Sequence, residues 1–357
     1  MSGEVPIVGC GACTSIGRSA AESAAAVWAS ISRIGDHPYI VDRAGELMVV
    51  ARAAYLDEDA RGIERFVGLG RPAAREALAP LSGSQAELPP IPLLLGLPAE
   101  RPGLPADLAT AIAGRFEALA EGHARISSVE TLGGGHSAGL MAIEEACRRI
   151  NDGQADLCLA GGIESYLEPE TLERLDFERR LHSTRNRWGL IPGEAAGFCL
   201  LASPSLAERG GLPILGHVVV AVTAWEENLI NSDSVCTGRG LSEAFRRAVQ
   251  PLAPSASKID QMICDLNGER YRTDEFGFAV TRTAEHFVDP SEFLTPADCW
   301  GDVGAASGPL FVSLALDPAA GASARGRQTL IWTSSDGGER SAVVLRRRAG
   351  DGDTAWA

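Results

Sequence analysis

The stretch VETLGGGHSAGLMAIEEACRRINDGQADLCLAGGIES, residues 129–165, decides the fold. Its glycine run allows a tight turn that side chains would forbid, and apolar residues at helical spacing follow at once. These apolar residues are Leu140, Ile143, Ala146, Cys147 and Ile150. The helix is expected to end at Asn151-Asp152-Gly153, and residues 156–160 then form a short buried strand. Strand, turn, helix and strand together predict a crossover unit of a parallel sheet.

The turn before this helix is the first place to look for chemistry. A residue at a strand-to-helix turn projects from the sheet beside free backbone N–H groups, and that position suits a nucleophile or an anion site. His136 and Ser137 occupy the turn.

Length and composition bound the class of protein. The 357 residues allow two ordinary domains or one large α/β domain built of two halves, and an apolar fraction of 45% is normal for a globular core. No apolar run is long enough to span a bilayer. The start, MSGEVPIVGCG, lacks a basic leader region, so no signal peptide is expected and the interpretation is a cytoplasmic protein.

Charge and cysteine usage exclude other classes. A net charge of −15 argues against a nucleic-acid partner, because phosphate binding depends on clustered Lys and Arg. Cys10-Gly-Ala-Cys13 has the spacing of a redox motif but follows the first strand and precedes a predicted turn, and no second pair accompanies it as a metal site would require. Neither a metal nor a cofactor is expected.

The remaining chain alternates helix and strand and then begins the same order again. Predicted strands are 5–9, 93–97, 126–129, 156–160, 195–202, 214–223, 261–266, 329–333 and 341–346, and predicted helices outside the opening stretch are 20–32, 61–78, 108–119, 241–249 and 304–316. The repeated order predicts an internal duplication with two halves, 1–205 and 206–357.

Five ordered motifs resemble the β-ketoacyl synthase branch of the thiolase-like superfamily. They are VPIVGCGACTSIG, LMAIEEACRRINDGQADLCLAGG, GLIPGEAAGFCLL with Glu194 at the usual acidic position, GDVGAASG, and Gly337-Gly338 followed by the strand from Ala342. The resemblance covers most of the chain. It implies an α/β fold of the thiolase-like type, with αβαβα layers built of two duplicated halves.

The catalytic set of that family does not match this sequence. The position of the acyl-accepting cysteine falls on His136, the two catalytic histidines fall on Asn267 and Asp302, the lysine falls on Ala297, and the gating phenylalanine falls on Asp336. The resemblance implies that condensation needs a thiolate and donors for the enolate, and neither is present at these positions. We therefore do not expect an ordinary 3-oxoacyl synthase.

Several interpretations of the replaced site remain open. An imidazole beside a carboxylate suits general acid–base catalysis, so His136 and Asp302, with Asn267 and Asp336 nearby, are candidates for a catalytic set. Gly135-His-Ser-Ala-Gly139 also fits the G-x-S-x-G pattern, which makes Ser137 a candidate nucleophile. Ligand type alone would allow a metal at His136, Asp302 and Asp336. The remaining interpretation is an inactive site filled with hydrogen-bonded polar side chains.

Two functional hypotheses follow from the resemblance. In the first, the chain binds an acyl thioester carried by an acyl carrier protein or coenzyme A, and performs acyl transfer, hydrolysis or cyclisation at His136. In the second, it is a non-catalytic partner of an active ketosynthase, similar to a chain-length factor. The polar replacements favour the first slightly. A dimer is expected, with itself or with a ketosynthase, and the sequence leaves the acyl substrate and pathway open.

Overall fold

Strands and helices alternate along the chain, as the sequence predicts. The computed structural model describes residues 3–117, 119–121, 124–230, 232–252, 258–317 and 328–347. The strands are β1 (Val5–Thr14), β2 (Ile34–Val41), β3 (Leu47–Ala51), β4 (Ile91–Gly96), β5 (Ala120–Glu121), β6 (Ala124–Leu132), β7 (Leu157–Ser165), β8 (Glu194–Ala202), β9 (Gly216–Trp225), β10 (Gln261–Cys264), β11 (Phe293–Leu294), β12 (Gln328–Ser334) and β13 (Glu339–Arg347).

The helices include those predicted and four others. They are α1 (Ala20–Trp28), α2 (Gly62–Leu78), α3 (Leu108–Glu117), α4 (Ala138–Asn151), α5 (Pro169–Phe177), α6 (Pro204–Gly210), α7 (Arg239–Val249), α8 (Arg270–Thr283), α9 (Ala297–Trp300) and α10 (Ser307–Leu316). Helices α5, α6, α8 and α9 were not predicted, and neither was the hairpin of β2 and β3. In the part of the chain described here, no helix is long and apolar enough to cross a bilayer.

Strand order repeats across the main sheet. The order is β11-β10-β12-β13-β9-β1-β8-β7-β4-β6-β5. Reading outward from the β9·β1 seam, each side has two antiparallel pairings followed by two parallel ones. The division of the chain at residue 205 stays a prediction, and this position lies inside α6.

Three apolar cores define the layers. One joins α2 and α3 to the strands of the first half, and another joins α7 and α8 to those of the second half. The third lies around α4 and α10, which contact strands from both halves of the sheet. The two halves of the sheet form separate layers, and the order of layers is helix, half-sheet, helix, half-sheet, helix. The expected thiolase-like α/β fold is confirmed.

The stretch 129–165 folds as predicted because its glycines allow a tight turn and close backbone contacts that a side chain would prevent. Gly134 and Gly135 have φ of 134° and 70°, the region that favours glycine, and they turn the chain from β6 into α4. A Cβ on Gly162 would lie 2.0 Å from the carbonyl oxygen of Ala305, so β7 approaches the start of α10 closely only with glycine there.

The first strand is longer than the predicted 5–9, and the predicted turn follows it at residues 15–16. Strand β1 continues to Thr14, so Cys10 and Cys13 lie within the strand. Both are free thiols, and burial raises the pKa of Cys13 to about 11. A thiol that stays protonated is a poor redox nucleophile.

Candidate functional site

His136 lies at the turn that begins α4, at the centre of the molecule. Its side chain projects from Gly135–Ser137, a short 3₁₀ turn that continues into the helix. Only 4% of the residue is exposed. A buried polar ring requires hydrogen-bonding partners, and they come from the second half of the chain.

Asp302 is the closest partner of His136. Both carboxylate oxygens lie 2.9 Å from Nε2 of the ring. The backbone of Asp302 is itself fixed, since its carbonyl oxygen accepts a 2.8 Å hydrogen bond from the N–H of Gly193. The Asn267 amide donates to Oδ2 of Asp302 over 2.6 Å. The structure therefore brings His136, Asp302 and Asn267 together.

The pKa values of this pair move in opposite directions. Burial and the Arg272 guanidinium lower the pKa of His136, but the adjacent Asp302 carboxylate outweighs both and raises it. Burial raises the pKa of Asp302, but the His136 charge and hydrogen bond outweigh burial and lower it. The two shifts favour an imidazolium–carboxylate ion pair.

Arg272 of α8 covers the imidazole. Its Nη2 lies 3.3 Å from Nδ1 and 3.4 Å from Nε2. Because these two distances are nearly equal, Nη2 of Arg272 lies against the ring and does not point along the lone pair of one ring nitrogen. The side chain is fully buried and donates to the Ser334 carbonyl oxygen over 2.6 Å. It also forms ion pairs of 3.2 Å to Asp265, 3.5 Å to Glu269 and 3.3 Å to Asp336.

Asp336 joins the same group through arginines. It accepts hydrogen bonds of 2.6 Å from both Arg180 and Tyr271. Burial raises the pKa of Asp336, but the Arg272 and Arg180 guanidinium groups hold it well below its usual range. Arg180 also forms a bidentate ion pair with Glu269, at 2.7 and 2.8 Å. Asp336 is therefore a member of an ion-pair network at the edge of the site.

A small cavity reaches the ring. It has a volume of about 170 Å³, and Arg101, His136, Tyr166, Arg180 and Asp336 are among its lining residues. The Arg101 guanidinium carbon lies 4.3 Å from the Tyr166 ring centroid. The cavity is thus polar and strongly charged along much of its wall.

The chain is similar in sequence and in fold to known proteins. Residues 100–207 match the family model of the β-ketoacyl synthase N-terminal domain. A solved ketosynthase in complex with its type II polyketide acyl carrier protein has a TM-score of 0.79 and 14% identity, over 98% of this chain and 100% of that one. The chain has the ketosynthase fold.

Two further matches to this ketosynthase-like chain are informative. The ishigamide ketosynthase/chain length factor has a TM-score of 0.68 and 22% identity, over 97% of this chain and 100% of that one. Non-reducing polyketide synthase Preu3 of Preussia isomera is 29% identical over 182 residues. Those residues are 47% of this chain and span only 7% of the length of that relative.

The structure gives Ser137 contacts that differ from the nucleophile interpretation. Its hydroxyl lies 3.1 Å from the carbonyl oxygen of Thr333 and 3.0 Å from that of Glu339, and its backbone N–H donates to Ser335. The residue has no exposed surface. In the described parts of the chain, the Ser137 hydroxyl makes no hydrogen bond to the imidazole, and a serine nucleophile needs an adjacent base. These contacts favour a structural role for Ser137.

A metal at His136, Asp302 and Asp336, which ligand type alone would allow, does not fit the contacts either. Arg272 lies against the His136 ring and pairs with Asp336, so a guanidinium occupies the space between the candidate ligands. A second cation there would be repelled. The charge that a metal would supply is already present as arginine.

Glu194, the acidic residue of the family motif, stabilises the layer beneath the site. Its carboxylate forms a bidentate ion pair with Arg65 at 2.6 and 2.7 Å, and it accepts from the Ala53 N–H and the Ser165 hydroxyl. Both charged side chains are almost fully buried. This fully bonded pair links β8 to α2.

Sequence reasoning missed Arg272 and Arg180. Arg272 lies on a helix without an apolar stripe, and Arg180 follows α5, which was not predicted. The signal in the sequence that could have indicated these arginines was the excess of acidic residues at the replaced positions. Asp302, Asp336 and Glu269 in one buried place require cations, and arginines are the residues that supply them here.

Proposed function

We propose that this ketosynthase-like chain is a non-condensing partner subunit that associates with an active ketosynthase. The packing of His136 carries the proposal. At the position where the family resemblance places the acyl-accepting nucleophile, the ring is buried between Asp302 and Arg272. It forms no thioester and presents no free, exposed nitrogen to an acyl group.

The size of the neighbouring cavity supports this proposal. Ligand pockets for drug-sized molecules measure roughly 300–1,000 Å³, whereas the cavity at His136 measures about 170 Å³. Its wall carries the Arg180–Asp336 ion pair of 2.6 Å. A long acyl chain would have to displace buried charges, which is unfavourable because each would lose its partner.

The similar solved structures are compatible with a partner role. One of them is of a ketosynthase with a chain length factor, and this chain aligns with 100% of the matched chain. At 22% identity, that likeness establishes the fold. The partner role rests on the buried, ion-paired site.

The first test asks whether the isolated chain handles acyl groups. Purified protein is incubated with radiolabelled malonyl- and butyryl-coenzyme A and a phosphopantetheinylated carrier protein. We expect no carbon dioxide release, no acyl-protein adduct and no thioester hydrolysis above the buffer rate. Turnover that disappears in His136→Ala would contradict the proposal.

The second test asks whether the chain supports a ketosynthase. The chain is co-expressed with a type II ketosynthase of the same organism, and complex formation and polyketide output are measured. We expect a complex, loss of product without the chain, and full product with His136→Ala. Product that forms equally well without the chain would overturn the partner role.

A second candidate function is acid–base chemistry at His136, and the 2.9 Å contacts to Asp302 favour it. A carboxylate that orients an imidazole is the usual arrangement of a general base. If the pair acts as a unit, His136→Ala and Asp302→Asn should each abolish turnover, with a double variant scarcely worse than either. Additive losses would exclude a shared catalytic role.

A further inference from the structure

A cluster of potential metal ligands lies away from the His136 site. Glu226 follows β9, Cys236 precedes α7, and Glu275 lies on α8. One carboxylate oxygen from each glutamate and the Cys236 sulfur all lie within 4.8 Å of one another. The residues are separated along the chain, so the fold rather than local sequence brings them together.

The two glutamates are buried, and one oxygen has no partner. Each is only 1% exposed. Glu226 accepts from the N–H groups of Asn228 and Gly240, at 3.2 and 2.8 Å. Glu275 Oε1 accepts from Arg340 Nε over 2.6 Å, whereas its Oε2 is buried and has no hydrogen-bond partner in the described parts of the chain. Buried carboxylate oxygens are normally satisfied, so Oε2 is available to a ligand.

The charges at this place are not balanced. The carboxylates of Glu226 and Glu275 carry two negative charges, and the adjacent Arg340 carries one positive charge. A bound cation would supply the missing positive charge.

We propose that Glu226, Cys236 and Glu275 bind one divalent cation of the zinc class. Sulfur with carboxylate oxygen favours Zn²⁺ over Mg²⁺ or Ca²⁺, which prefer oxygen alone. Three protein ligands leave a fourth tetrahedral position for water. On binding, the Cys236 S–H bond breaks, a sulfur–metal bond forms and the proton passes to solvent, with no change in oxidation state.

The cluster is accessible to an ion from solvent and lies beside the helix that covers His136. Cys236 is half-buried, so an ion has a route from solvent. A metal would join the connection before α7 to α8, the helix that also carries Arg272 one turn before Glu275. The ion would therefore fix the helix that covers His136.

Cobalt provides the direct test. The full chain, first treated with a chelator, is titrated with Co²⁺, and the near-ultraviolet sulfur-to-cobalt charge-transfer band is recorded. We expect one equivalent to bind, one proton to be released and Zn²⁺ to displace the cobalt. Cys236→Ser should abolish the band. It should leave the melting temperature of the metal-free protein unchanged, because this half-buried thiol carries no ion pair.

Two further variants complete the test. Cys10→Ser, a half-buried thiol in β1, serves as the matched control and should retain the band. Glu226→Gln should weaken Co²⁺ affinity at least tenfold. A wild-type protein that binds no Co²⁺, or a band that survives in Cys236→Ser, would overturn the proposal.

Discussion

At the residue scale, the chemistry of the site depends on what surrounds the imidazole. His136 alone would be a candidate base, but Asp302 at 2.9 Å and Arg272 at 3.3 Å make it a member of a buried charge network. The acidic replacement at position 302 is paired with the His136 ring, and the one at position 336 is paired with Arg180 and Arg272. This balance is the physical basis for preferring a partner subunit over an acyl-transfer enzyme.

The first prediction concerns the pH dependence of stability. Because the folded-state pKa of His136 is raised, its pair with Asp302 stabilises the fold fully below the unfolded pKa of about 6.5, and this is lost as pH rises through the folded pKa. The lowered pKa of Asp302 acts at the other end: its contribution is present above about 3.9 and is lost as pH falls through the folded value.

His136→Ala should therefore destabilise the protein by roughly 1–3 kcal/mol at pH 6 and by less at pH 9. Urea unfolding at both pH values measures the difference. His286→Ala, at a partly exposed ring, is the control and should change little. An equal loss at pH 6 and pH 9 for His136→Ala would mean that the ring is not held as an imidazolium.

The second prediction concerns Arg272. Its removal leaves Asp265, Glu269 and Asp336 with less positive charge in a buried place, so Arg272→Ala should destabilise by roughly 3–5 kcal/mol. Arg270→Ala on the same helix removes an exposed 3.6 Å pair with Asp274 and should change little. Urea midpoints compare the two. Similar losses in both variants would contradict a network centred on Arg272.

At the element scale, helix α8 shows how a buried helix escapes a search for apolar periodicity. Its buried positions are Arg272, Glu275, Phe276, Ala279 and Thr283, which have regular helical spacing. Two of the five are charged and one is a threonine, so the apolar stripe is broken. The burial becomes visible only when Asp265 and Arg340, from β-strand segments, are placed opposite the helix.

The third prediction concerns close packing between β7 and α10. Gly162→Ala places a Cβ 2.0 Å from the Ala305 carbonyl oxygen, and we expect a loss of about 3 kcal/mol or prevention of folding. Gly114→Ala is the matched control, since a Cβ on this exposed α3 position meets nothing within 4 Å. It should stabilise by about 0.4–1 kcal/mol. Thermal melts of both variants test the contrast, and an unaffected Gly162→Ala would show that the layers can separate.

At the scale of the whole molecule, the open edge of the sheet indicates where a second chain would associate. Strand β6 pairs with β4 on one side and with only two residues of β5 on the other. Along the rest of its length, the described residues leave its outer edge unpaired, and an exposed edge invites pairing. The dimer predicted from the sequence therefore remains a prediction, with itself or with a ketosynthase.

The fourth prediction is that the chain dimerises through this edge. Val129→Asp, which adds a charge to β6, should shift the light-scattering mass toward the monomer at micromolar protein. Tyr39→Asp, on β2 and 60% exposed, should leave the mass unchanged. A wild-type chain that is monomeric, both alone and with a co-expressed ketosynthase, would remove the prediction.

The sequence by itself determined the alternating α/β fold and the glycine turn before α4, because those features rest on local periodicity and on the backbone freedom of glycine. The grouping of His136, Asn267 and Asp302 was implied by the resemblance to the ketosynthases. The sequence also showed that position 136 holds no cysteine. Only the tertiary structure decided that Ser137 bonds to main-chain carbonyls, that Arg272 and Arg180 fill the site and that Glu226, Cys236 and Glu275 converge. These are contacts between residues far apart in the chain, and their energies depend on burial and on the charge of a partner, neither of which a local pattern records.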